Sequence, residues 1–329
     1  MRKAVITGSG AYVPEKIVPN SFFNEVLQED VDTWLRENVH IYNRRWCGEN
    51  ESVVDLCLSA AKNAIEDAAI TADDIQLIIV ATDTPEYISP STASKLQHLL
   101  QANHTGAFDI NTACAGFVTA LDMASKYIIA DKQYKNILVI GAYAMSKYLN
   151  IEDKKTATLF ADGAGAVILS AQHDTDSGYI AGDLMTQGQY CDWMGIYAGG
   201  TFKPLSQEVL DKKEHLLQFV KKFPKELNPT MWTSMIQKLC KENKVEVNEV
   251  KGFFITQINI NSIWETMDRL GVDRKLAPTV MHEFGYTGSA AIPIAFHIAR
   301  KSGKVKQGDY VVFVGSGGGL SFASVLLKL

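Results

Sequence analysis

Apolar residues in this chain fall into short runs that are bounded by polar residues and glycines. Such runs occupy residues 4–6, 77–80, 137–140 and 311–314, and their length is typical of buried β-strands. Longer stretches between them indicate helices, including one that opens at Gly116. This alternation of strands and helices predicts a mixed α/β sheet covered by helices.

The chain also repeats itself when it is shifted by 175 residues. The shift places residues 71–80 on 246–255, 112–117 on 287–292, 136–141 on 311–315 to within one residue, and 4–8 near 179–182. Four separate matches at one shift indicate an internal duplication. We therefore predict two α/β halves, residues 1–175 and residues 176–329. They should pack face to face, because no Gly/Ser/Pro-rich linker separates them.

Each half is expected to close with a strand, at residues 158–169 in the first half and 317–327 in the second. Two segments, residues 21–57 and 188–231, have no counterpart in the duplicated pattern. They indicate insertions, and the second is expected to cover the site.

Composition argues against several classes of protein. Of the 329 residues, 47% are hydrophobic and 21% charged, and the net charge is −5, which argues against a nucleic-acid-binding protein. No apolar run approaches the roughly 20 residues of a membrane span, and the N-terminal residues lack the apolar region of a secretory signal. The five cysteines form no C-x-x-C pair. We expect a cytoplasmic protein without metal or dinucleotide cofactor, since Gly163–Gly165 lacks the remaining spacing of that fingerprint.

Cys114 is the candidate nucleophile. It follows a predicted strand end and precedes the helix that opens at Gly116. Unpaired backbone N–H groups and the positive end of a helix dipole favour a thiolate at such a position. The alternative is a buried cysteine that serves as a small hydrophobic residue.

Several motifs together resemble the thiolase superfamily, and within it the β-ketoacyl-ACP synthase III branch. They are the cysteine run NTACAGF, FADGAGAVIL, GYTGSAAIP and the C-terminal GSGGGLSFASVLL. The resemblance implies a thiolase-like fold, in which two duplicated α/β halves pack as a five-layered body, and a homodimer built on the strand before Cys114. It implies that Cys114 accepts the acyl group and that Gly318 shares an oxyanion hole with the Cys114 N–H. It also places Trp34 near the pantetheine tunnel and Phe160 near the acyl pocket.

The sequence departs from that family at two chemical positions. A histidine in an H-Q-A-N run is replaced by Thr256 in the run that ends at Asn259, and an asparagine in a G-N-T-S run is replaced by Tyr286. Asn259 is kept as a substrate-binding candidate. Threonine has a short reach and no group that titrates near neutral pH, so malonyl decarboxylation by the usual pair is doubtful. His282 is a candidate source of an imidazole, and Tyr286 is a candidate hydrogen-bond donor to the enolate. For His282 the alternative is a loop histidine without a role.

Three hypotheses remain open. The first, which we favour, is condensation of an acyl group with a malonyl- or β-ketoacyl-type thioester, in fatty-acid or polyketide-type specialised metabolism. The second is transfer of the acyl group to an oxygen, nitrogen or sulfur nucleophile without decarboxylation. The third is a catalytically inactive partner subunit of a ketosynthase heterodimer, against which the retained Cys114 and Gly318 argue.

The acyl donor is expected to be an acyl carrier protein or acyl-CoA. At positions where some relatives bind CoA with arginine, this chain has Asn38, Asn261 and Lys154. Only Lys154 keeps a positive charge, and it lacks the bidentate fork of arginine. The pattern favours a carrier protein as donor.

Overall fold

The computed structural model describes residues 2–329. The first half contains seven strands and five helices: β1 (Lys3–Tyr12), β2 (Ile17–Pro19), α1 (Asn20–Leu27), α2 (Asp32–Trp34), β3 (Asn43–Arg45), α3 (Val53–Asp67), β4 (Leu77–Ala81), α4 (Thr92–Leu99), β5 (Gly106–Ile110), α5 (Gly116–Ala130), β6 (Asn136–Ala144) and β7 (Asp162–Gln172). Short 3-10 turns include Ala113–Ala115 before α5.

The second half continues with β8 (Gly178–Thr186), β9 (Met194–Gly195), α6 (Gln207–Asp211), β10 (Gln218–Phe219), α7 (Leu227–Glu242), β11 (Val250–Ile255), α8 (Ile260–Leu270), α9 (Met281–Phe284), α10 (Ala291–Lys301), β12 (Tyr310–Gly317) and β13 (Ser321–Lys328). The 3-10 turn Gly288–Ala290 precedes α10, as Ala113–Ala115 precedes α5.

Two large sheets organise the molecule. The first has the order β1-β7-β6-β4-β5 and the second has the order β11-β12-β13-β8. In the first sheet β5, β4 and β6 run parallel, so their carboxyl ends lie at one edge. Helix α3 packs on the outer face of this sheet, α5 and α10 lie between the two sheets, and α7 covers the second sheet. These layers form the five-layered body that the sequence predicted.

The duplication is confirmed in the arrangement of elements. At the predicted shift, β1 corresponds to β8, α3 to α7, β4 to β11 and α5 to α10, and the neighbour order of the corresponding strands is the same in both sheets. The strand β5 has no equivalent strand in the second sheet. The boundary at residues 175 and 176 falls in the connection between β7 and β8 and stays a prediction.

Helix α5 owes its position to its composition. It has ten buried residues, among them Phe117, Val118 and Leu121, and it contacts strands of both sheets. The stretch Ala113–Ala130 is long and apolar enough to cross a membrane by length and composition alone, but 67% of it is buried inside the fold. It is therefore the central helix of the core, because an element that is apolar on all sides needs partners on all sides.

The two helix-opening turns dock against the sheet of the opposite half. A Cβ at Gly141 on β6 would lie 2.3 Å from the Ser289 carbonyl oxygen, and one at Gly315 on β12 would lie 3.0 Å from the Ala115 Cα. The Ser289 hydroxyl lies 2.7 Å from the Ala142 carbonyl oxygen and 3.1 Å from that of Ala81. Backbone therefore meets backbone at both crossings, and only glycine allows this approach.

The two closing strands start later than the sequence predicted. Residues 158–161 form a turn and a single bridge, in which Phe160 pairs with Tyr286 of the other half. Residues 318–320 form the turn between β12 and β13. In both places the chain leaves the sheet to build the region around Cys114, and apolar patterning alone does not report that departure.

We expect the substitution Gly141→Ala to lower the free energy of unfolding by about 1–3 kcal/mol, the usual cost of overpacking a rigid contact. Its Cβ would meet the Ser289 backbone, which cannot yield as a flexible side chain would. Gly188→Ala is the matched control, because its Cβ would meet nothing within 4 Å. Urea unfolding of both variants measures the difference, and equal midpoints would contradict the proposed role of the crossing.

Candidate active site

Cys114 lies in the turn Ala113–Ala115 and is 3% exposed. The turn is held by Asn111, whose side-chain oxygen accepts a 2.9 Å hydrogen bond from the Ala113 N–H, and by a 2.9 Å contact between the Thr112 and Thr119 hydroxyls. Ala113 has φ 46°, a left-handed conformation that costs a residue with a Cβ about 1 kcal/mol or more. The backbone is thus forced into the bend that presents Cys114.

The glycine-rich turn after β12 packs directly against Cys114. A Cβ at Gly317 would lie 2.5 Å from the Cys114 backbone nitrogen and 2.6 Å from the Thr112 carbonyl oxygen. At Gly318 a Cβ would meet nothing closer than the Met194 carbonyl oxygen at 3.5 Å. Gly317 is therefore the glycine that packing requires, and the sequence analysis did not single it out.

Tyr286 reaches Cys114 from the second half. Its buried hydroxyl forms a hydrogen bond with the thiol, and its ring lies 5.3 Å from that of Phe160. The Tyr286 N–H donates to the Leu159 carbonyl at 2.9 Å, and the Ala161 N–H donates to the Tyr286 carbonyl at 2.9 Å. The structure thus brings together three residues named from the sequence: Cys114, Tyr286 and Phe160.

The protonation state of Cys114 differs from the sequence expectation. Burial and the negative charge of Asp83 raise the pKa of the Cys114 thiol, while hydrogen bonds from Tyr286 and from its own backbone N–H lower it. The raising effects win, so the resting site holds a thiol and not the predicted thiolate. A reaction at Cys114 near neutral pH must therefore remove a proton as the sulfur attacks.

Thr256 follows β11 and is buried in the same region. Its hydroxyl oxygen accepts a 2.9 Å hydrogen bond from the Ser316 N–H, and its own N–H donates to the Val314 carbonyl at 3.2 Å. The side chain is therefore used to hold β12.

Two other candidates lie apart from the thiol. Asn259 caps helix α8, where its side-chain oxygen accepts a 2.9 Å hydrogen bond from the Asn261 N–H. His282 is exposed, and its ring centre lies 6.3 Å from that of Tyr42. Within residues 2–329 no hydrogen bond joins the His282 ring to Cys114 or Tyr286, so the structure does not bring this imidazole to the thiol.

The residues expected near the pantetheine tunnel and at the CoA-binding positions lie on the surface. Trp34 is 54% exposed. The Lys154 ammonium is 2.7 Å from a Glu29 carboxylate oxygen, and the Asn261 amide donates to the Asn38 carbonyl at 2.7 Å. Lys154 is the one cation among positions 38, 154 and 261, and it is thus already paired with a carboxylate.

Comparison with known proteins shows which family the chain resembles along its length. Residues 108–188 match the family model described as 3-oxoacyl-[acyl-carrier-protein (ACP)] synthase III, and residues 240–329 match its C-terminal counterpart. The chain is 35% identical to the β-ketoacyl-[acyl-carrier-protein] synthase III of Clostridium perfringens strain SM101, with 100% of both chains covered.

The chain belongs to the β-ketoacyl-ACP synthase III family. A similar relative from Clostridioides difficile strain 630 is 35% identical over 99% of this chain and 98% of its own length. The crystal structure of 3-oxoacyl-[acyl-carrier-protein] synthase III from Aquifex aeolicus VF5 is 30% identical and superposes with a TM-score of 0.89, covering 99% of this chain and 100% of that one. The thiolase-like fold and the acyltransferase class predicted from the sequence are confirmed.

Two further titratable groups, Asp83 and Tyr143, lie in this synthase III-like site. Asp83 follows β4, and its Oδ1 atom is buried without a hydrogen-bond partner among the described residues. Tyr143 on β6 is buried, and burial together with the charge of Asp83 raises the pKa of its phenol. An acidic residue two positions after the fully apolar strand β4 was the available signal for Asp83, because loops at the carboxyl ends of parallel strands commonly build sites.

We expect Tyr286→Phe to slow alkylation of Cys114 by iodoacetamide about tenfold at mildly alkaline pH, because a hydrogen bond to a charged group contributes about 1.5 kcal/mol or more. Loss of the phenol raises the pKa of the thiol, since Tyr286 lowers it in the native protein. Tyr12→Phe is the control, as the Tyr12 hydroxyl donates to Glu51 at 3.0 Å. An unchanged rate in Tyr286→Phe would show that the hydrogen bond does not support the thiolate.

Proposed function

We propose that this chain transfers acyl groups through a thioester on Cys114. The observation that carries the proposal is the buried Cys114 thiol, which the Tyr286 hydroxyl contacts at the junction of the two halves. A structural cysteine has no need of a strained turn at Ala113, or of a neighbouring strand residue, Gly317, at which any Cβ would lie 2.5 Å from the Cys114 nitrogen.

The Cys114 N–H and the Gly318 N–H are our candidates for the oxyanion hole. Attack of sulfur on a thioester places negative charge on the carbonyl oxygen, and each fixed donor is worth about 10²–10³ in rate. The close approach of Gly317 to Cys114 supports this assignment, because it brings the backbone of the glycine-rich turn beside the nucleophile.

An acyl carrier protein is the proposed donor, and acyl-CoA is the alternative. The ammonium of Lys154 is paired with Glu29, and Asn38 and Asn261 contact each other. These positions therefore offer no unpaired cation to a CoA phosphate, which favours a donor held by protein–protein contacts.

The acceptor in the second half-reaction has two candidates. Condensation with a malonyl- or β-ketoacyl-type thioester is the reaction after which the relatives are named. Transfer to an oxygen, nitrogen or sulfur nucleophile is favoured by Thr256, whose hydroxyl binds the Ser316 backbone and not the pocket. Without a free donor pair, the enolate that follows loss of CO₂ has no evident stabilisation at this site.

We also propose a homodimer in the cytoplasm. Strand β5 pairs with β4 along one side and ends the first sheet, so its other side is available to the same strand of a second copy.

Mixing the protein with acyl-ACP and acyl-CoA donors should add one acyl mass to the wild type and none to Cys114→Ala. Intact-mass spectrometry measures both. Cys191→Ala is the control, because Cys191 is an exposed cysteine and its loss should leave the acyl mass in place. Failure to detect an adduct with donors of several chain lengths would reject both enzyme hypotheses and leave the inactive-subunit hypothesis.

Acylated protein should release no CO₂ from malonyl-ACP above the rate without enzyme, because Thr256 cannot replace the histidine donor. Hydroxylamine or a small thiol should instead discharge the acyl group. Trapped CO₂ and the product mass are the measurements. Stoichiometric CO₂ with a β-ketoacyl product would establish condensation and exclude simple transfer as the principal reaction.

A further inference from the structure

One carboxyl group without an assigned role, that of Asp83, lies where the carboxyl ends of the parallel strands β4, β5 and β6 meet. The Thr82 N–H donates to the Ile110 carbonyl at the end of β5, at 3.1 Å, and the Ala144 N–H at the end of β6 donates to the Thr84 hydroxyl at 2.9 Å. Asp83 is therefore fixed between the strand that leads to Cys114 and the strand that carries Tyr143. Asp83 as a whole is partly exposed, but its Oδ1 atom is buried.

Among residues 2–329, the groups that respond to the charge of Asp83 are all acidic. The titratable groups that face it are the Cys114 thiol and the phenols of Tyr143, Tyr148 and Tyr286, each of which has its pKa raised by the Asp83 charge. Burial raises the pKa of the Asp83 carboxyl itself to about 7. Near neutral pH, a carboxyl group with such a pKa is partly protonated and partly ionised, so it can both accept and donate a proton. This is the condition that suits acid–base catalysis.

We propose that Asp83 is the proton-transfer group for the acylation of Cys114. The inference rests on the proposed acyl transfer through Cys114 and names the group that accepts the thiol proton in that step. Two observations carry it: the buried Oδ1 atom has no partner among the described residues, and Asp83 lies at the strand edge shared with the turn of Cys114. Thr256 cannot serve, because a hydroxyl does not titrate near neutral pH.

The step balances without any further reactant. The Cys114 S–H bond breaks and its proton passes to an Asp83 oxygen, directly or through one water, as the sulfur bonds to the thioester carbonyl carbon. When the tetrahedral intermediate collapses, the bond between that carbon and the donor sulfur breaks. The Asp83 proton then goes to the departing thiolate, which leaves as a free thiol.

The decisive experiment compares two reactions of Cys114 in the variant Asp83→Asn. Acylation by a thioester needs proton transfer to the leaving sulfur, whereas alkylation by iodoacetamide needs only the thiolate. Loss of the negative charge lowers the pKa of Cys114 and should speed alkylation. Acylation should nevertheless slow by about 100-fold or more, the usual contribution of a general acid–base group.

The pH dependence adds a second readout. Wild-type acylation should rise with pH through about 7, as the Asp83 carboxylate forms, and Asp83→Asn should lose this limb. Asp83→Glu should keep part of the acylation rate and of its rise with pH. Asp73→Asn, on an exposed turn, is the control and should behave as wild type. An Asp83→Asn protein that both alkylates and acylates faster than wild type would reduce Asp83 to a repelling charge and overturn the inference.

Stability provides a test that does not use the reaction. Because the Asp83 pKa is raised in the folded state, wild-type protein loses stability as the pH rises from about 4 through about 7. Asp83→Asn should therefore melt at a higher temperature than wild type at pH 8, and this difference should shrink at pH 4.5. Equal pH dependence in the two proteins would show that the carboxyl is not buried as a charge and would overturn the inference.

The outcomes separate this inference from the proposed function. If the wild type is acylated and Asp83→Asn is acylated equally fast, only the role of Asp83 is rejected. Absence of acylation in wild type rejects the proposed function and, with it, the role of Asp83 in that reaction.

Discussion

The structure depends on the reciprocal docking of two helix-opening turns. The turn that carries Cys114 packs against Gly315 and Gly317 on β12, and the turn that carries Ser289 packs against Gly141 on β6. Because backbone meets backbone at these crossings, no side chain can be inserted without moving a sheet. The same contacts place α5 and α10 between the sheets, so the core and the site are fixed by one arrangement. Neither half contains the site alone.

Duplication produced two equivalent turns with different tasks. At the predicted shift Cys114 corresponds to Ser289, whose hydroxyl lies close to the carbonyl oxygens of Ala142 and Ala81. A buried hydroxyl that satisfies strand carbonyls is a structural part. Cys114 instead faces Tyr286 and the charge of Asp83. One copy of the motif thus joins the halves, and the other holds the reactive sulfur.

The site combines features that reduce stability. Ala113 is left-handed, and the Asp83 carboxyl has a raised pKa and a buried Oδ1 atom with no hydrogen-bond partner among residues 2–329. Such features persist only where the surrounding fold is rigid enough to impose them. Here that rigidity comes from the two sheets and from residues such as Thr256, whose hydroxyl oxygen accepts a hydrogen bond from the Ser316 N–H of β12.

Local patterns determined much of this protein. Short apolar runs defined the buried strands, the 175-residue repeat defined two like halves, and the small residues around Cys114 marked a helix-opening turn, because each of these properties depends on neighbours in the chain. The tertiary structure alone decided which distant residues meet. It brought Tyr286 to Cys114, used Thr256 and Asn259 for backbone contacts and left His282 on the surface. It also made Gly317 obligatory and kept Cys114 protonated, since steric fit and burial depend on atoms that come together only when both halves fold.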